Sequence, residues 1–201
     1  MAHLIPDKRE LTATLVVYGA ARAGKTTVLH CINDRVAPDR RGPVDPFGAG
    51  LAVAPLLDWL PLDLGTISGW RTRVHLYAVP GHRQADATRR LLLADADGVL
   101  FVADSQAEAL PATKDALTAL GENLLTHGGR PRDLPTVCLF TKRDLPEELL
   151  LTPEAMAEAL NLGDARWFAC DARHGIGVLE GLHAAVSLVM RRLAPARAVA
   201  P

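Results

Sequence analysis

Residues Gly19-Ala20-Ala21-Arg22-Ala23-Gly24-Lys25-Thr26 place four residues between two glycines and follow the second with Lys and Thr. That is the pattern of a phosphate-holding loop. Glycine at 19 and 24 lets the backbone curl until successive N–H groups point inward at one anion. Lys25 supplies an ammonium for β- and γ-phosphates, and the Thr26 hydroxyl is an oxygen ligand for Mg²⁺. The candidate phosphate-contacting residues are Gly19, Ala20, Ala21, Arg22, Ala23, Gly24, Lys25, Thr26 and Thr27, with Thr26 the candidate metal ligand. The chain has only four lysines against eighteen arginines. A Lys kept at a motif position therefore points to a need for an ammonium in particular. Two of the four, Lys25 and Lys142, stand in such motifs.

Such a loop needs a strand to deliver it and a helix to leave it. Leu11 to Tyr18 is an apolar, β-branched run that reads as a buried strand, and Thr26 to Val36 reads as a helix. A Pro/Gly-rich loop follows from Ala37 to Pro55. Strands are expected over Leu56 to Leu64 and Arg71 to Val79, paired as a hairpin around a turn at Gly65 to Gly69. Beyond them the pattern predicts a helix over Gln84 to Ala94, a strand over Gly98 to Ala103 and a helix over Leu110 to Thr126. Next come a strand over Thr136 to Phe140 and a helix over Pro153 to Leu160 that opens on Pro. A short strand from Arg166 to Cys170 and an amphipathic helix from Val178 to Leu193 close the chain. Alternating strands and helices imply an α/β fold of the P-loop NTPase kind. It has a mostly parallel sheet of six strands flanked by helices, with ligands bound at the carboxyl ends of the strands. One domain is expected over residues 1–194, with a short tail at 195–201.

The 201 residues suffice for one domain with a sizeable core. With 49% apolar and 22% charged residues and a net charge of -1, nothing in the composition suits a polyanion such as nucleic acid. Cys31, Cys138 and Cys170 are far apart and odd in number, which points to buried thiols in a reducing, cytoplasmic setting. No run is long and apolar enough to cross a bilayer, and the sequence shows no lipidation signal.

Three further motifs sit at expected strand ends. Thr141-Lys142-Arg143-Asp144 resembles the fourth motif of Ras-like small GTPases, Asn- or Thr-Lys-x-Asp. An Asp144 carboxylate accepts two hydrogen bonds from the N1–H and N2–H₂ groups of guanine. Adenine offers neither donor and would leave a desolvated charge unpaired. The Lys142 stem can lie over the base. Cys170-Asp171-Ala172-Arg173 stands where the family has Ser-Ala-Lys, whose backbone N–H groups meet guanine O6. The resemblance thus adds Asp171, Ala172 and Arg173 to the Thr141, Lys142 and Asp144 set. In Val79-Pro80-Gly81-His82, Gly81 matches the glycine whose N–H meets the γ-phosphate. His82 takes the place of the residue that orients the attacking water.

Leu60-Pro61-Leu62-Asp63-Leu64-Gly65, His75 to Gly81 with its Val-Pro-Gly, and Asp97 to Ser105 all resemble the bacterial MglA family of gliding-motility and polarity GTPases. The likeness runs from about Leu11 to Leu193. It implies a Ras-like G domain that switches between GTP and GDP with Mg²⁺. It also implies a dimeric roadblock-domain regulator of the MglB kind, and polarity or motility effectors.

The departures fall on the metal and γ-phosphate side. Residues 28–65 contain no Ser or Thr, although the family's switch threonine falls near Ala49. The arginine that accompanies it in MglA proteins is also missing, with Gly48 and Leu51 nearby. Ala78 replaces a metal-supporting Asp, and Ala21 replaces a glycine near the γ-phosphate. Each loss removes charge or metal stabilisation of the transition state. Nucleotide binding with slow hydrolysis is therefore expected. A pseudo-GTPase scaffold is the alternative, favoured by the missing threonine. A P-loop kinase or ATPase is a second alternative, with Asp104 ending an apolar strand as its metal carboxylate. Leu56, Leu57, Trp59 and Leu60 suggest an apolar strand edge where a partner docks.

Overall fold

A computed structural model describes residues 3–47, 57–67, 69–79, 81, 86–126 and 134–193. The sheet grows around β2 (Glu10–Tyr18). Odd positions Leu11, Ala13, Leu15 and Val17 face one apolar layer, and even positions Val16 and Tyr18 face the other. Period-two alternation thus feeds both faces of one strand. The strand order is β3 (Asp45–Phe47), β4 (Leu57–Ile67), β5 (Trp70–Ala78), β2, β6 (Gly98–Asp104), β7 (Thr136–Thr141), β8 (Arg166–Ala169), with β1 (His3–Ile5) paired to the start of β2. β5, β6, β7 and β8 form the parallel part with β2. β4 is antiparallel to β5.

On one face, α1 (Lys25–Arg35) and α5 (Val178–Leu193) pack against the sheet with Val28, Ile32, Leu182 and Val189 in the core. On the other, α3 (Leu110–Thr126) and α4 (Pro153–Ala159) bury Leu120, Leu124 and Met156 against Phe101 and Phe140. α2 (Asp86–Ala94) lies on this side against α3. The α/β expectation with six principal strands stands. Every β6 residue is buried, so its continuous apolar run reflects burial on both faces.

Two short strands extend the sheet beyond the expected six. β1 (His3–Ile5) pairs antiparallel with Leu11 and its neighbours. β3 (Asp45–Phe47) emerges from the Pro/Gly-rich loop to pair with Leu57 to Trp59. Its order comes from that pairing rather than from local propensity. The expected turn at Gly65 to Gly69 begins later, because β4 continues to Ile67 through a bulge between Asp63 and Thr66. Gly65 at φ 71 permits it, and its N–H donates to Asp63 Oδ1 at 2.9 Å.

The proposed apolar docking edge is corrected at two positions. Leu57 and Leu60 are core residues, 6% and 0% exposed. The β4 edge is covered by β3 and by the Gly42 N–H bonded to the Pro61 carbonyl at 3.0 Å. Trp59 instead lies over His75, and His75 over Tyr77, at ring separations of 5.7 and 6.5 Å. Leu56 lies outside the described residues.

Candidate functional site

Residues 19–24 leave the end of β2 in a curl that their sequence requires. A Cβ on Gly19 (φ 153) would run into the Val102 carbonyl, and Gly24 at φ 97 opens α1 in a left-handed conformation. Arg22 takes a left-handed φ of 62 although it is not glycine. Lys25 lies at the helix start and is buried. Its ammonium donates to the Gly19 carbonyl at 3.0 Å and the Ala20 carbonyl at 2.6 Å. Burial, and then the nearby Arg89 charge, lower its pKa to about 8. Arg89 also covers the ring of Tyr18, the residue before the loop, at 5.7 Å.

An open cavity of about 440 Å³ over this loop is lined by Ala21, Arg22, Gly24, Lys25, Thr26 and Thr27. Across from them stand Asp58, Ala78, Val79 and Gly81. Gly81 approaches so closely that a Cβ would overlap the Ala20–Ala21 backbone, so only glycine fits. Ala78 brings no carboxylate, but its β4 partner in register is Asp58. The Thr26 hydroxyl donates to Asp58 Oδ2 at 2.8 Å. Thr26 and Asp58 are hard oxygen donors of the kind Mg²⁺ prefers, and they fit such an ion. Sequence reading missed Asp58 because only the β4–β5 register brings it to the site.

A second cavity, of about 400 Å³, shares Arg22, Gly24 and Thr27 with the first. Thr141, Lys142, Asp144, Ala172 and Arg173 line its other side. The Thr141 hydroxyl ties the two together, within 2.7 Å of the Ala23 carbonyl and 3.1 Å of the Ala103 carbonyl. Lys142 takes φ 63, and its ammonium meets Asp104 Oδ2 at 2.5 Å and Gln106 Oε1 at 3.2 Å. The stem is thereby stretched along the cavity wall. Asp104 is thus engaged on the base side and is not among the residues lining the phosphate cavity, which counts against the kinase alternative. Asp144 is largely buried and, among the described residues, has one distant ion pair, Arg173 Nε at 3.6 Å.

Most of the sequence-predicted residues converge on these two cavities. Gly19, Ala20, Ala23 and Asp171 line neither; Gly19 contributes its carbonyl to Lys25. Ala23 is buried in the core and contributes its carbonyl. Ala20 packs against the core. Asp171 turns inward to its own loop. Its Oδ1 accepts the N–H groups of Arg173 and His174 at 3.0 Å each, and its Oδ2 lies 2.5 Å from His174 Nδ1. Burial opposes the Asp171 charge, yet these hydrogen bonds hold its carboxyl below the usual range. His82, Ala49, Gly48 and Leu51 lie outside the described residues.

Over 193 residues the chain is 38% identical to the mutual gliding-motility protein MglA of Myxococcus xanthus (strain DK1622), spanning 96% of this chain and 98% of that protein. It is 24% identical over 186 residues to ADP-ribosylation factor-related protein 1 of Homo sapiens, covering 89% and 86% of the two chains. The same protein of Pongo abelii matches equally. No family model matches the chain.

Proposed function

The chain belongs to the MglA family of Ras-like small GTPases, and from that premise we propose a guanine-nucleotide switch of gliding motility or cell polarity that hydrolyses GTP slowly. The observation that carries this reading is a cavity holding an ammonium joined to a cavity holding a carboxylate, with Arg22, Gly24 and Thr27 as their common wall. Asp144 accepts the two guanine donors, the Lys142 stem supports the ring and the Ala172 N–H meets O6. Lys25 exchanges the Gly19 and Ala20 carbonyls for β- and γ-phosphate oxygens. Gly81 offers its N–H to the γ-phosphate, and His82 orients water. Thr26, with Asp58 beside it, would hold Mg²⁺, which would neutralise phosphate charge.

Slow turnover follows from what the chain lacks: a carboxylate at Ala78 and any Ser or Thr in 28–65. The half-buried cluster of Trp59, His75 and Tyr77 is the surface we assign to the roadblock-domain regulator or an effector. The three buried, unpaired cysteines suit a reducing cytoplasm. Among the described residues no helix is long and apolar enough to cross a membrane.

The reading is tested by denaturing the purified protein and identifying the released nucleotide, then titrating GTP, GDP and ATP with and without Mg²⁺. Retained guanine nucleotide is expected; retained ATP overturns the base assignment. The pseudo-GTPase reading is favoured by the missing switch threonine and by the Thr26 hydroxyl already bonded to Asp58. Single-turnover hydrolysis separates the two. A switch cleaves GTP measurably when its regulator is added, whereas a scaffold does not.

A further inference from the structure

We propose that Arg35 is a positioning residue for guanine, a strap from the far end of α1 that sets the loop presenting Ala172 to the base. The inference rests on the guanine reading above. α1 begins at Lys25 in the phosphate cavity and ends at Arg35, ten residues on, or about 15 Å. From there Arg35 Nη2 donates to the His174 carbonyl at 2.6 Å. The guanidinium also lies against Gly175, where a Cβ would overlap it. Gly175 adopts φ 80, a conformation that strains any other residue.

The loop Arg35 grips is closed on itself. The N–H groups of Gly175 and Ile176 donate to the Asp171 carbonyl at 2.7 and 2.9 Å, and the Asp171 N–H returns to the Ile176 carbonyl at 3.0 Å. With the Asp171 side chain capping Arg173 and His174, the turn has internal rigidity and moves as a unit. Its setting against Asp144 therefore depends on outside ties. One is the Arg143 N–H to the Cys170 carbonyl at 3.2 Å, which belongs to the base motif itself. A second is the loose Arg173–Asp144 ion pair at 3.6 Å; the shortest, at 2.6 Å and charge-assisted, is Arg35 to His174. One wall of the turn thus faces the base cavity through Ala172 and Arg173, and Arg35 holds it from α1.

A plainer role is available, because Arg35 stands in the last turn of its own helix with Nη1 3.5 Å from the Cys31 carbonyl. The two roles separate experimentally. Arg35→Ala, Arg35→Lys and Gly175→Ala are compared by displacement of fluorescent GDP, and by competition with GDP, IDP and 6-thio-GDP. Sulfur replaces O6 in the last, a poor acceptor for the Ala172 N–H, whereas IDP keeps O6 and loses only the amino group read by Asp144. Arg35→Ala is expected to speed GDP release about tenfold and to lower the preference for GDP over 6-thio-GDP several-fold. The preference for GDP over IDP stays at the wild-type value. Arg35→Lys gives an intermediate effect, and Gly175→Ala in the Arg35→Ala background, which strains the loop itself at φ 80, separates strain in the loop from loss of the strap. Release rates within about twofold of wild type in Arg35→Ala overturn the proposal. So does a lowered melting temperature with both preferences unchanged. Wild-type protein that fails to prefer GDP over ADP defeats the guanine reading instead.

Discussion

On the base side of the cleft the polar groups hold one another in place before any ligand arrives. Lys142 is stretched by Asp104 and Gln106, Thr141 is fixed to the Ala23 and Ala103 carbonyls, and Asp171 is spent on its own turn. Asp144 alone is left with a loose partner at 3.6 Å. On the phosphate side the working groups are bonded to atoms they must leave: Lys25 to two loop carbonyls and Thr26 to Asp58. Base selection is thus preorganised, whereas phosphate and metal binding are exchanges of one bond for another. The first should be insensitive to solution conditions. The second should respond to pH and Mg²⁺.

The largest effect expected is on the preorganised side. Asp144→Ala should weaken GDP binding by about a hundredfold or more, because both base donors lose a charged acceptor. Titration with fluorescent GDP measures it, and an affinity within a few-fold of wild type would break the comparison at its firmer end.

Lys25 tests the other side. Its pKa is about 8 in the folded chain against 10.5 when unfolded. A neighbouring phosphate restores the charge, so binding takes up a proton above about pH 8. GDP affinity should be level below that pH and fall above it, at most about tenfold per pH unit. The stability of the nucleotide-free protein carries the opposite sign. The penalty for burying the Lys25 charge is fully present below about pH 8 and fades toward 10.5, so this residue makes the empty fold more stable as pH rises. Lys25→Met should flatten both trends in calorimetry and melting curves.

Asp58 gives a smaller, two-sided effect. Its carboxylate opposes phosphate when no cation is present and attracts Mg²⁺ when one is. Asp58→Ala should therefore strengthen metal-free GDP binding and reduce the gain that Mg²⁺ brings, each by about three- to tenfold. An unchanged Mg²⁺ gain would show that Thr26 carries the metal alone. The smallest effect lies away from the cleft. Asp63 caps the β4 bulge and pairs with Arg71 at 3.0 Å, and the Gly65 N–H, then Arg71, hold its carboxyl below the usual range. Asp63→Ala should cost about 0.5–1 kcal/mol near neutral pH. That difference should vanish as acid protonates Asp63 in the wild type, and urea melts at two pH values check it.

Sequence reading reached the parts whose information is local. The glycine spacing of the phosphate loop, the Thr-Lys-x-Asp run and the period-two strand β2 each carry their signal within a few residues. The limits of α3 and α5 fall where the apolar periodicity put them. Contacts made by register stayed hidden. Nothing near Asp58 in sequence reveals that it faces Ala78, and nothing near Arg35 reveals that it meets His174, since 139 positions separate them. β3 lay in a stretch whose prolines and glycines argue against a strand. It forms because β4 supplies the partner. The inward turn of Asp171 also escaped, because its motif fixes backbone N–H positions and says little of the side chain.

β2 runs from beside β1 to the phosphate loop, eight steps from Glu10 to Tyr18, which spans roughly 26 Å. The end of the β4–β5 hairpin and β1 therefore form a remote pole of the molecule, with the whole sheet between them and the nucleotide. A fluorophore or surface tether attached there would sit outside the chemistry yet within energy-transfer range of a labelled nucleotide. The fold thus offers a fixed ruler along which occupancy of the cleft can be followed in real time.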